Sequence, residues 1–125
     1  MSETKTRGTE WIAGPFDYER LEVSAIAEEA FERGYRLANG LPRGNANLAD
    51  QMKRSLLSAF LQTAEGASRR GADRLNRFNG AKSEAGEAAA ALKAAMVARA
   101  CDLEEARAIR VLLARLCAML TKLGG

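Results

Sequence analysis

Histidine is absent from the 125 residues of this chain, which removes the commonest general base and the commonest metal ligand. Without it no Glu-x-x-His pair exists, so the di-iron centre that some helical bundles carry has no ligand set. There are two cysteines, Cys101 and Cys117, and they match no metal or redox spacing. If both are helical they stand roughly 24 Å apart along the axis, beyond disulfide reach. They read as small buried hydrophobes, with an intersubunit disulfide as the alternative. No apolar run approaches the ~20 residues of a membrane span. Residues 1–10 are polar and mixed in charge, unlike a secretory leader, so a reducing cytoplasm is the expected setting. With no strand pattern in the chain, the glycines between Gly66 and Gly71 have no phosphate-loop context and lack its lysine. Neither a cofactor nor a metal is called for, and no enzymatic activity is expected.

What the chain does contain is alanine and helical periodicity. Both prolines, Pro15 and Pro42, fall where a helix would begin or end. After a tail expected to be irregular over residues 1–15, residues 16–125 read as one domain of four helices. Asp17 is placed to cap the first, in which Val23, Ile26, Ala27, Ala30, Phe31, Gly34 and Ala38 recur at helical spacing until Asn39-Gly40-Leu41-Pro42 stops it. Gly34 within this run is read as a site of close helix contact. The second helix spans about 47–62 or beyond, with Leu48, Met52, Leu56, Ala59, Phe60 and Thr63 on its buried stripe and Gly66 as a candidate stop. Asp73 or Ser68 is expected to cap the third and longest helix, whose stripe includes Leu75, Phe78, Ala81, Ala85, Ala88, Leu92, Ala95 and Met96. Asp102 and Glu105 have capping-box spacing and open the fourth. The predicted fold is an all-α antiparallel up-down-up-down four-helix bundle. Its core is thin in aromatics, and the apolar stripe of the fourth helix, Leu103 to Leu123, is wider than a monomer needs, so homo-oligomerisation is expected.

Two groups of polar residues stand out. Gln51, Arg54, Glu65 and Glu87 interleave with the apolar stripes of the second and third helices, which suggests a structural polar network. Glu65, Glu84 and Glu87 are better explained as surface or arginine-paired carboxylates than as a catalytic cluster, with Arg54 and Arg77 as the partners. The second group is basic. Residues 1–32 carry three basic and eight acidic side chains, whereas residues 53–82 carry seven and two. Lys53, Arg69, Arg70, Arg74 and Arg77 gather near the turn between the second and third helices, a density suited to phosphates of RNA or DNA. Ion pairing with the acidic first helix is the alternative, and aromatic side chains for base stacking are scarce there.

The polar pattern also carries a family resemblance. Leu21-Glu22-Val23, Tyr35, Leu41-Pro42, Leu48, Gln51, Arg54, Ala64-Glu65-Gly66, Arg77-Phe78, Ala81 and Glu87 resemble the small bacterial four-helix bundles called 23S rRNA intervening-sequence proteins. They are similar too to the related accessory variability determinants of diversity-generating retroelements. Gln62 and Ser83-Glu84 depart from the usual pattern. The resemblance implies a bundle assembled as a ring of five subunits, with no defined chemistry. A non-enzymatic oligomer that binds RNA or another nucleic acid is the expected function. The alternative is a scaffold or accessory subunit holding a protein partner, such as a reverse transcriptase encoded nearby.

Overall fold

The computed structural model of the chain describes residues 5–6, 9–10, 16 and 21–124. Four helices account for nearly all of it: α1 (Glu22–Asn39), α2 (Ala46–Ala67), α3 (Gly71–Val97) and α4 (Leu103–Gly124). Helix α3 is the longest, at 27 residues. Within the tail expected to be irregular, β1 (Lys5–Thr6) and β2 (Thr9–Glu10) form a two-residue antiparallel ladder, Lys5 opposite Glu10. The all-α class is unaffected by so short a pairing. Asp17 lies outside the described residues, and α1 begins at Glu22 after an extended Leu21 that makes no side-chain capping bond.

The other helix ends differ from expectation for local reasons. Helix α2 passes through Gly66 to Ala67, because that glycine is a packing position. A Cβ there would sit 2.4 Å from Phe78 Cδ1. Neither Ser68 nor Asp73 caps α3. The Ser68 hydroxyl turns back to donate to the carbonyls of Ala64 and Glu65, closing α2, while Asp73 sits in the first turn of α3 and pairs with Arg69. Glu105 does not complete a capping box with Asp102, since both of its carboxylate oxygens accept from Arg33.

Helix α1 packs on α2 and α4, and α3 packs on the same two, so the four enclose one core. Met52, Leu56, Phe78, Leu92, Ile109, Leu113, Leu116 and Leu120 fill it. Ala81, Ala85, Ala88 and Ala95, all fully buried on α3, keep that helix close to its neighbours. Gly34 does the same for α1, where a Cβ would lie 2.6 Å from a Leu56 methyl. The wide stripe of α4 is largely absorbed by having two neighbours, as Ala106, Ile109, Leu112, Leu113, Leu116 and Leu120 are all buried. Exposed apolar side chains remain at Val111 and Leu123 of α4, at Leu75 and Val97 of α3, and on α2, where Leu57 and Leu61 are 43% and 47% exposed one turn apart. No described helix is long and apolar enough to cross a membrane.

Candidate nucleic-acid interface

Three residues between Ala67 and Gly71 join α2 to α3, and the short connection brings Arg69, Arg70, Arg74 and Arg77 together at one end of the pair. Their guanidiniums have different surroundings. Arg74 donates from Nε to the Gly66 carbonyl at 3.1 Å and from Nη2 to the Ala67 carbonyl at 2.9 Å, and lies over the Phe78 ring. It thereby satisfies carbonyls at the negative end of α2, the part a cation plays best at a helix C-terminus. Arg69 pairs with Asp73 at 3.1 Å, and Arg77 reaches Glu65 at 3.4 Å and Asp73 at 3.9 Å. Arg70 is exposed, and no ion pair to it is found among the described residues. Four arginines against two carboxylates leave the turn positive. Lys53 stands apart, donating to Asn39 Oδ1 at 2.7 Å beside the Tyr35 ring on the α1 side of α2.

Of the four residues expected to form one polar network, three are joined. Arg54 donates to Gln51, and Gln51 donates to Glu87 across α2 and α3, each at 3.3 Å. Glu65 lies further down α2 and pairs with Arg77 instead. All four are exposed, so water competes for every bond. Alanine at Gln51 or Glu87 is accordingly expected to lower stability by no more than about 0.5 kcal/mol in a urea titration. A loss above roughly 1 kcal/mol would mean that this network is buried in the functioning protein.

A second ionic group is not legible in the sequence. Glu29, fully buried on α1, accepts from Arg33 Nη1 at 2.9 Å, and Arg33 forks onto Glu105 of α4 with bonds of 2.9 and 2.8 Å. The pair of bonds to Glu105, set against desolvation, raises the Arg33 pKa, and the guanidinium in turn lowers that of Glu105. The Glu29 and Arg33 spacing of four residues beside an apolar stripe was the available signal. Its partner 72 residues away carried none. Beside it lies an open groove of about 510 Å³ lined by Arg33, Arg36, Leu37, Gly40, Cys101, Asp102 and Glu105. Cys101 and Cys117 are free thiols packed against the core, and burial raises the pKa of both, which makes them poor nucleophiles. Among the described residues no group of three or more His, Cys, Asp or Glu side chains could hold a metal ion.

A four-helix all-α domain with an arginine-rich turn is the class that fold and site define. The chain belongs to the 23S rRNA-intervening sequence protein family, whose model matches residues 19–122 and so reaches all four helices. No curated protein matches it.

Proposed function

We propose that the protein is a non-enzymatic, cytoplasmic RNA-binding bundle that works as a homo-oligomer and meets phosphates through its α2–α3 turn. The observation that carries this reading is the set of four arginines converging on one three-residue connection with, among the described residues, Glu65 and Asp73 to offset them. Membership of a family named for an intervening sequence of ribosomal RNA supports RNA over other polyanions. The bundle is read as antiparallel up-down-up-down. Pairs such as Gln51 with Glu87 and Glu65 with Arg77, whose numbers run in opposite directions, support that topology. The family resemblance implies a ring of five subunits, and a kinship with retroelement accessory proteins. The exposed Leu57 and Leu61 supply apolar surface for a contact between copies.

The protein-scaffold reading rests on the same Leu57 and Leu61 surface, which suits an accessory subunit of a neighbouring enzyme equally well. A titration separates the two. Wild type is expected to bind a mixed-sequence RNA with an affinity that falls steeply between 50 and 200 mM salt, and repetition around an oligomer raises it by avidity. An Arg69→Gln/Arg70→Gln variant, which leaves the Arg74 cap in place, is expected to bind at least several-fold more weakly. Light scattering is expected to give a multiple of the 13.5 kDa chain mass. Equal, weak and salt-insensitive binding by both proteins would favour the scaffold, and a monodisperse monomer at micromolar concentration would overturn the assembly.

A further inference from the structure

We infer that the outward face of α3 and α4 is a second phosphate-binding surface, shaped for base-paired RNA; the inference rests on the RNA-binding reading above. Six cations define it: Lys82, Lys93, Arg107, Arg110, Arg115 and Lys122. Arg107, Arg115 and Lys122 follow one exposed ridge of α4 at intervals of eight and seven residues, with Val111 and Ala118 between them. That ridge is about 22 Å long from Arg107 to Lys122. Lys82 and Arg110 fix the seam beside it. Lys82 Nζ donates to Thr121 Oγ1 at 3.2 Å, and Arg110 Nε donates to the Ala89 carbonyl at 3.1 Å. Lys93 is exposed one turn beyond Ala89 on the same side of α3.

Carboxylates are almost missing from this face. The chain has no acidic residue between Ala106 and its last residue, and none from Ala88 to Cys101. The two acids of α3 beyond its first turn fall in the row Arg77, Gly80, Glu84, Glu87, which faces α2: Arg77 pairs with Glu65, Gly80 abuts Gln62 and Glu87 accepts from Gln51. Glu104 is the one acid on the outer side of α4, at 3.9 Å from Arg107 with both side chains largely in solvent. Six cations less Glu104 give this face +5, whereas the chain as a whole carries +3, so everything else sums to −2. The four arginines of the α2–α3 turn share two neighbouring carboxylates, whereas the six cations of this face share one.

The form of the partner follows from what the face lacks. Helix α4 has no aromatic residue and the one in α3, Phe78, is buried, so unpaired bases find no ring on which to stack. A row of cations along one ridge meets a regular row of phosphates, and a duplex presents one. The last turn of α4 packs on Leu75 and Phe78, which brings the Lys122 end of the ridge beside the arginine turn and makes the two basic surfaces neighbours.

The test uses Arg107→Gln/Arg115→Gln/Lys122→Gln in the full chain, three exposed positions that make no hydrogen bond among the described residues, so the melting temperature is expected to match wild type. Binding of a 20-base-pair RNA duplex is expected to weaken at least tenfold at 50 mM salt, and the slope of log K against log salt to shrink by about two to three. Loss is expected to be smaller for an unstructured single strand of the same length. If wild type binds both RNAs with a steep salt dependence and the α4 variant binds the duplex unchanged, while Arg69→Gln/Arg70→Gln weakens it, this inference is wrong and the RNA-binding reading stands. If wild type binds neither RNA, the RNA-binding reading itself falls. A lower particle mass for the α4 variant in light scattering would show the face to be covered by another copy of the chain, which also overturns the inference.

Discussion

Arg33→Met is expected to destabilise the protein by about 1 to 3 kcal/mol, because it withdraws one hydrogen-bonded guanidinium from the fully buried Glu29 and cuts the only ionic bridge found between α1 and α4 among the described residues. The methionine keeps the apolar stem, so lost charge and not lost volume is what the measurement reads. Glu105→Gln removes the other end of the bridge, but Glu105 is 37% exposed and water can replace it, so a smaller loss is expected. The two variants also differ in acid. Because Arg33 holds the Glu105 pKa below its ordinary value, the stability from this pair is fully present above the unfolded-state pKa of about 4.3 and is lost as pH falls through the lower folded value. Urea midpoints between pH 7 and pH 3 are therefore expected to fall less for Glu105→Gln than for wild type. An Arg33→Met midpoint within about 0.5 kcal/mol of wild type would show that Glu29 does not depend on this partner.

Phe78→Ala is expected to cost about 3 to 5 kcal/mol, as the largest fully buried side chain in the core and the one that Gly66 was left bare to admit. Gly66→Ala tests the same contact from the other side. Its methyl would come within 2.5 Å of two ring carbons of Phe78 and 3.1 Å of Arg77 Cβ, and a loss of about 1 to 3 kcal/mol is expected even though alanine favours the helix. Introduced into Phe78→Ala, the same alanine has room, so the double variant is expected to be markedly more stable than the sum of the two losses implies. Gly86→Ala serves as the control. Nothing lies within 4 Å of a Cβ at that helical position, so a gain of about 0.5 to 1 kcal/mol is expected. Additive losses at Gly66 and Phe78 would remove the steric explanation.

Gly66 shows why helices are legible in this sequence and their ends are less so. Periodicity locates Met52, Leu56, Phe78 and Leu92 in the core because it depends on one helix at a time, and a glycine near a helix end looks like a stop by the same logic. Whether it is a stop or a bare patch depends on a ring in the next helix, which no local pattern reports. The arginines of the turn were legible as a cluster, since they are close in sequence, but not in their duties. Arg74 is engaged by carbonyls that appear in no motif, and Glu65 pairs with Arg77 and not with the Gln51 group because it lies nearly four helical turns from Gln51 on α2. The Arg33 bridge was hidden for the opposite reason. Glu105 has a plausible local reading beside Asp102, and the residue that claims it lies 72 positions earlier, in α1.

The Arg74 cap and the Gly66 to Phe78 contact tie α2 to α3 through residues only 8 and 12 positions apart, whereas the Arg33 bridge closes a loop of 72. Short loops close quickly and at small entropic cost, so the α2–α3 hairpin is the natural place for the chain to begin folding, with α1 docking onto α4 afterwards. Kinetics should then divide the two regions: variants at Phe78 or Arg74 slow refolding, and Arg33→Met mainly speeds unfolding. In the folding limb of a chevron, the basic turn would be visible as the seed of the molecule.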